Sequence, residues 1–390
     1  MASFAPPPAA LAETRSSPRI VRSCPAEFKV SLACCAASSH PLENLEPGFS
    51  WDRMVELAEH HGVIPQVYQH LSQAPAVPQA TLAALRANYQ HNAWRTMWLT
   101  RELLRVADTL ATCGIQILPH KGPVLAEMLY GNVTSRQFSD LDMFVRVDDV
   151  RVVKELLCDL GYHGSLQLSR KQEDAYLRSG YEYTFDSAQG HNLLELQWQV
   201  LPRFYAVDFG MEGLFARAVN VSMAGAMVKT LSPEDLMLAL CVHAAKHAWV
   251  RLSWLCDIAR LTEQSLNWKF IHEEADRLGV RRIVSVTLWL ASEFLGVVEP
   301  TAWTPDPEAQ TIGQRVCQFI IGKTGLDPES LPYFKLMMHI RERASDRVRL
   351  LSRLLFTPSV GEWQSLRLPD NLFPLYRAVR LARVARRLVS

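Results

Sequence analysis

The sequence predicts an α+β fold in which a small mixed sheet sits between an N-terminal and a C-terminal helical region. Three observations carry that prediction. Apolar residues recur every three or four positions before residue 110 and again after residue 232; between residues 111 and 205 the period drops to two in several short runs; and glycine or proline marks the changes of rhythm. A length of 390 residues with 48% hydrophobic content suffices for two or three domains and a sizeable core.

Residues 1–25 are rich in Pro and Ala with little to pack, and read as a disordered tail. Residues 26–110 read as a helical N-terminal region. Trp51, Met54, Leu57 and Ala58 fall at helical spacing before Gly62 breaks the pattern, and Trp94, Trp98, Leu103, Val106 and Leu110 repeat it. Residues 111–205 form the α/β core. "GIQILPHKG" is a short strand running into a turn, and "PVLAEMLYG" a helix with Pro123 near its start and Gly131 near its end. "DLDMFVRV" is the second strand and "DDVRVVKELLCDLGY" the second helix, with Asp148 or Asp149 as N-cap and Gly161 as stop. "YEYTFDS" and "HNLLELQWQV" are two more strands, joined by a turn around Gly190. Residues 206–340 return to helical period, with a helix that opens on a Ser232 cap, Pro233 and first-turn acids. Residues 341–390 form an Arg-rich helical end.

Composition excludes several classes of partner. A net charge of +1 gives no global attraction to nucleic acid or to an anionic membrane. Residues 341–390 carry eleven Arg against four acids, with Arg377, Arg380, Arg383 and Arg387 on one stripe. Few aromatics interleave with them and no RNA-binding signature is present, so the stripe reads as a solvated or acid-paired face and nucleic acid is disfavoured as a partner. The eight Cys include no CxxC, which reads as reduced thiols. The N-terminus lacks an apolar signal core, and no uninterrupted apolar run approaches the roughly 18 residues of a membrane span. A cytoplasmic protein is expected.

The chemistry-bearing residues lie in the strands. In "DLDMFVRV" Leu141, Met143, Val145 and Val147 share one face, so Asp140, Asp142, Phe144 and Arg146 share the other. In "HNLLELQWQV" the same parity separates Leu194, Leu196, Trp198 and Val200 from Glu195, Gln197 and Gln199. Glu195 can therefore join the two aspartates, with Glu182 on the polar parity of its own strand as the rival. Three carboxylates on one sheet face repel by roughly 2–3 kcal/mol per pair at an effective dielectric near 20. A divalent cation relieves that repulsion, and oxygen-only ligation favours Mg²⁺ or Mn²⁺ with substrate phosphates completing the shell. Phosphoryl or nucleotidyl transfer is the implied chemistry; a D-x-D pair alone also fits a turn cap beside an exposed edge residue.

The combination Lys121-Gly122, Asp140-Leu141-Asp142 and Leu194-Glu195-Leu196 resembles the pattern of the DNA polymerase β-like nucleotidyltransferase superfamily. With Tyr130, Arg136, the segment Ser232 to Asp257 and the stretch Leu368 to Arg380, it is similar to one branch, the uncharacterised bacterial nucleotidyltransferases called nucleotidyltransferase family 5. The resemblance spans most of residues 50 to 385. It implies a nucleotidyltransferase-like core in which Asp140, Asp142 and Glu195 bind the metals and carry the catalysis. It implies NTP and a hydroxyl-bearing acceptor as substrates, pyrophosphate as leaving group, and nucleotide contacts from Lys121, Gly122 and Arg136. Where active superfamily members carry Gly-Gly or Gly-Ser at the turn, this chain has Gly122-Pro123, and Pro supplies no N–H. Lys121 is then the point charge available to the phosphates.

In this architecture a helical domain following the sheet closes over the nucleotide, which directs attention to His243, Lys246 and His247 on one helix face. A lysine there opposes a zinc site, so Lys246, His247 and Arg251 are read as an anion site, with packing of the two histidines on Trp249 or Trp254 as the alternative. Asp257 is expected to pair with Arg251 or Arg260. Two rival functions remain: a D-x-D glycosyltransferase, which would want a run of βα units before the motif, and a catalytically inactive nucleotide-binding accessory protein.

Overall fold

The computed structural model describes residues 19–36, 42, 45, 48–187, 193–322, 325–327, 330–358, 360–366 and 368–389. A helical turn α1 (Arg19–Arg22) is followed by α2 (Ala26–Cys35), α3 (Trp51–His60), α4 (Ile64–Leu71) and the 34-residue α5 (Gln79–Thr112). Helix α1 and the buried Cys24 fall within residues 1–25, expected to be disordered; the first eighteen of these lie outside the described residues. Ser50 caps α3 by accepting from the Arg53 amide at 3.3 Å, and positive φ at Gly62 turns the chain into α4.

Helix α5 buries Asn92, Thr96, Leu99, Leu103, Val106 and Leu110, one stripe at steps of three and four. Trp94, expected on that stripe, is 74% exposed. It lies two residues past Asn92, roughly 200° around the axis.

The core begins with β1 (Leu118–Pro119) and α6 (Gly122–Tyr130), ended by Gly131 in the left-handed conformation. It continues through β2 (Asp140–Phe144), α7 (Val150–Asp159), β3 (Tyr162–Gly164), α8 (Arg170–Ser179), β4 (Glu182–Ser187) and β5 (Leu193–Gln197). The strands form one mixed sheet in the order β1-β2-β5-β4-β3, with β2 and β5 parallel and the other pairs antiparallel. Sequence periodicity missed β3 and α8, although Ser169 and Gln172 form a capping box that signals the helix. The turn expected around Gly190 lies outside the described residues. Strand β2 stops at Phe144, so Val147, expected to face the core, is 42% exposed in a short turn.

Leu141, Met143 and Val145 pack with α5 and α7 in a core that also holds Leu194, Leu196 and Trp198, as alternation predicts. Phe144, on the opposite parity, is also fully buried and belongs to a second core. The carboxylate face of the sheet is therefore covered.

The cover is helical. Past α9 (Met211–Ala216) and a hairpin of β6 (Val219–Met223) and β7 (Ala226–Thr230), turned by Ala224 and Gly225 at positive φ, come α10 (Pro233–Lys246), α11 (Leu252–Thr262), α12 (Trp268–Leu278), α13 (Arg281–Leu295) and α14 (Ala309–Gly322). Buried residues of α2, α3 and α4 belong to the same core as those of α10 to α14. Helices α2, α3 and α4 thus pack into the covering body, while α5 also packs on the sheet. Helices α15 (Leu331–His339), α16 (Ala344–Phe356), α17 (Val360–Ser365) and α18 (Tyr376–Val389) finish the chain. Arg380 and Arg383 both pair with the buried Glu362 at 3.2 Å, the acid-paired arrangement foreseen for the stripe, while Arg387 lies outside the described side chains. No described helix is long and apolar enough to cross a membrane.

Candidate active site

Strand register builds the centre of the site. Asp142 and Glu195 are direct partners across the parallel pair β2 and β5. Neighbouring strands lie about 4.8 Å apart, so the two carboxyl groups stand side by side on one face. Asp140 precedes by one step of the pleat. Glu182, on β4, is the register partner of Gln197 and faces the same side.

Two side chains hold this acidic face together. The Lys121 ammonium donates to Asp142 Oδ1 at 2.8 Å. The Gln197 Nε2 amide donates to Glu195 Oε2 at 2.9 Å, and lies 3.3 Å from both Asp142 Oδ1 and Glu182 Oε2. Sequence parity placed Gln197 on this face without giving it a role. Glu195 and its rival Glu182 are both present at the site.

Gly122 sets Lys121 in place. Its φ is +56°, and a Cβ there would meet the Asp140 carbonyl oxygen at 3.2 Å. Only glycine accepts both the left-handed backbone and the close approach to β2. Pro123 follows at the start of α6, where its missing N–H costs no intrahelical bond.

The protonation pattern records a shortage of positive charge. Burial works against ionisation of Asp142, yet Lys121 and His120 hold its carboxyl down at about 2. Burial and Asp142 push Asp140 up. Burial, Asp142 and Glu182 push Glu195 up to about 8. Burial would lower Lys121, but Asp142 outweighs it and holds the ammonium above its ordinary value. Behind the site His120 stacks on Phe144 at 4.0 Å, and burial and Lys121 press its imidazole down to about 3. His120, 3% exposed, was invisible to alternation because it lies in the turn just after β1.

The covering body contributes Lys246 from the last turn of α10. Its ammonium donates to the Tyr181 hydroxyl at 3.0 Å and lies 4.8 Å from that ring's centroid. Burial lowers the Lys246 pKa while Glu182 opposes. The Tyr333 hydroxyl donates to the Lys246 carbonyl at 2.7 Å and fixes the helix end. His247 is the C-cap of α10, and Ala248 and Trp249 follow at positive φ. His243 and His247 pack on each other at 4.8 Å and on Trp254 at 5.3 and 5.4 Å, the packing alternative named above. Arg251 is an exposed residue at the N-cap of α11 and, among the described residues, makes no hydrogen bond to the acidic face.

Arg136, expected at the nucleotide, is committed elsewhere. Its Nη2 meets Asp257 Oδ2 at 2.9 Å and its Nε meets both Asp257 oxygens at 3.0 and 3.1 Å. The Tyr130 hydroxyl donates to Asp257 Oδ1 at 3.0 Å. Asp257 therefore pairs with Arg136, not with Arg251 or Arg260. The cause is tertiary: the pair joins residues 121 apart, across the boundary between sheet module and covering helices.

The donor chemistry suits a hard divalent cation: three carboxylates, no thiolate, and negative charge in excess. As they stand, however, no three His, Cys, Asp or Glu side chains among the described residues are grouped so as to hold a metal, and an ammonium occupies Asp142. Two cavities, of about 350 and 490 Å³, open away from the carboxylates, the first beside Cys35 and Cys256 and the second beside Met97 and Val133.

A family model described as uncharacterised nucleotidyltransferase matches residues 47–296, and the chain belongs to that family. No curated protein matches the chain by sequence. Among solved structures, the antibiotic-resistance factor ANT(2'')-Ia is 12% identical, covers 46% of this chain and 91% of its own, and gives a TM-score of 0.35. The lincosamide antibiotic adenylyltransferase LnuA, with lincomycin bound, is 12% identical over 42% and 95%, at 0.30. An antigenic nucleotidyltransferase-like protein from Paracoccidioides brasiliensis is 16% identical over 53% and 95%, at 0.30. Likeness of that degree carries no argument; membership rests on the family match.

Proposed function

We propose that this member of the uncharacterised nucleotidyltransferase family transfers a nucleoside monophosphate from an NTP to a hydroxyl acceptor and releases pyrophosphate. The observation that carries the reading is the register pairing of Asp142 with Glu195 on parallel strands, beside Asp140 and under a lysine. Asp140, Asp142 and Glu195 would hold Mg²⁺ or Mn²⁺, which when bound supplies positive charge to the attacking and leaving oxygens.

The chain's own residues divide the remaining work. Lys121, at the N-terminus of α6, is a mobile point charge for the triphosphate. Gly122 lets the turn lie against β2, and Lys246 brings a second ammonium from the covering helix. Gln197 ties Glu195 to its neighbours, donating to Glu195 Oε2 and lying 3.3 Å from Asp142 Oδ1 and Glu182 Oε2. Glu195, beside Asp142 on the neighbouring strand, is placed to receive the acceptor hydroxyl's proton. Arg136 acts one step back, holding the cover to the sheet through Asp257.

Nucleotide binding without transfer is the second reading, favoured by the lysine seated on Asp142 and by Pro123 in the turn. The glycosyltransferase alternative loses its support, since among the described residues only the two-residue β1 precedes β2. One experiment separates the first two readings. The protein is incubated with each α-³²P-labelled NTP, Mg²⁺ and a cell extract, beside Asp142→Asn. Label moves to an acceptor with the wild type and not with the variant if transfer is the function; binding without transfer in both overturns it in favour of the second reading.

A further inference from the structure

We propose that Lys121 is the resident counter-ion of the carboxylate site, seated on Asp142 until a divalent cation displaces it, and that the freed ammonium then meets the NTP phosphates. Metal and nucleotide consequently bind as a coupled pair. This inference rests on the transferase reading above.

The geometry favours an exchange over an addition. Among the described residues the Lys121–Asp142 contact is the one ion pair made by Asp140, Asp142, Glu182 or Glu195. At 2.8 Å the ammonium occupies Asp142 Oδ1, and the pair is well shielded, with side chains 14% and 3% exposed. A hard cation binds carboxylate oxygen at roughly 2.1 Å, so a cation on either Asp142 oxygen brings like charge against the ammonium on Oδ1, and the two compete for one carboxylate.

The backbone cannot supply the movement. Gly122 is held against the Asp140 carbonyl, and Lys121 is the N-cap of α6. The side chain can, having a four-carbon stem and a single charged head. In the absence of nucleotide the displaced ammonium is left with Glu182 alone of the nearby acids, and Gln197 Nε2 already lies 3.3 Å from that carboxylate. Lys246 adds to its isolation by contributing like charge. An NTP supplies the missing partner beside the same helix N-terminus. Each ligand thus removes an obstacle to the other, and by linkage the coupling is equal in both directions.

The test is a calorimetric titration of the free protein with Mn²⁺, alone and with a non-hydrolysable α,β-methylene analogue of each NTP. Wild type is expected to bind Mn²⁺ roughly tenfold or more tightly when the analogue is present. Lys121→Met should bind Mn²⁺ alone roughly tenfold to a hundredfold more tightly than wild type, the range for losing one charge-assisted competitor, and should lose most of the coupling. Lys269→Met, at an exposed lysine of α12 away from the site, leaves Asp142 occupied and should keep the coupling. Equal Mn²⁺ affinity of wild type and Lys121→Met, both folded by circular dichroism, overturns the proposal. Failure of wild type to bind any analogue with Mn²⁺ overturns the transferase reading instead, while the metal-only comparison still decides the counter-ion. A further readout needs no variant: the ¹⁵N resonance of the Lys121 ammonium should shift when Mg²⁺ and analogue are added together, and an unmoved resonance contradicts the exchange.

Discussion

Two buried ion pairs lie at the junction of sheet and cover, and they are built to opposite rules. At Arg136–Asp257 one acid meets one base, three guanidinium contacts of 2.9–3.1 Å saturate the carboxylate, and Tyr130 adds a fourth. At Lys121–Asp142 one ammonium faces Asp142 while Asp140, Glu195 and Glu182 remain without an ion pair among the described residues. The first pair is complete and needs nothing. The second carries an excess of negative charge, expressed in the raised pKa of Asp140 and of Glu195. A closed charge balance marks a strut, and an open one marks a place for a ligand.

The largest effect expected is on the strut. Asp257→Ala leaves the Arg136 guanidinium buried and unpaired, which should lower folding stability by about 3–5 kcal/mol, read as a fall in denaturation midpoint. A loss below about 1 kcal/mol would mean that Arg136 finds water or another acid, and the contrast between the two pairs would dissolve. Asp142→Asn should do the reverse. It removes the Lys121 ion pair but leaves Asp140 and Glu195 beside the ammonium, so stability should fall far less than in Asp257→Ala, while label transfer should drop on the order of a hundredfold to a thousandfold. Equal destabilisation by the two substitutions would show that both pairs are structural.

The pH dependence of the metal-free protein sharpens the contrast further. Glu195 keeps its proton up to about 8 in the folded chain, against an ordinary value of 4.5. Its contribution to stability is therefore complete below about 4.5, declines as pH rises, and is lost above about 8. Asp142, held down at about 2, works in the other direction, and its contribution is lost as pH falls from about 4 to 2. Thermal melts between pH 5 and 8 should show falling stability that Glu195→Gln flattens. A slope unaltered in that variant would place the proton elsewhere.

The open site was more legible in the sequence than the strut, for a physical reason. Asp140, Asp142 and Glu195 sit in alternating strands, and parity is a local property that register then converts into proximity. Gln197 lay on the same parity, but an uncharged amide carries no repulsion to draw notice. Arg136 and Asp257 lie 121 residues apart, joined by packing that no local period encodes, so Asp257 was assigned the wrong arginine and the pairing of Arg136 was missed. Parity also assigned Phe144 to a polar face that is in fact buried under helices, because alternation reports which residues agree and not what covers them. The hairpin turned by Ala224 and Gly225 escaped for want of the more familiar Asn-Gly signal.

The smallest effect tests whether the two pairs depend on each other. Gly122→Ala puts a Cβ 3.2 Å from the Asp140 carbonyl at a φ of +56°. The left-handed backbone alone should cost about 1–2 kcal/mol, measurable by chemical denaturation. Relief of the contact requires α6 to move away from β2, and α6 carries Lys121 at one end and Tyr130 at the other. If the helix shifts as a unit, both pairs weaken, and adding Asp257→Ala to Gly122→Ala should destabilise by less than the sum of the single substitutions. Strict additivity would mean that the turn yields locally, leaving the strut intact while only the lysine is displaced.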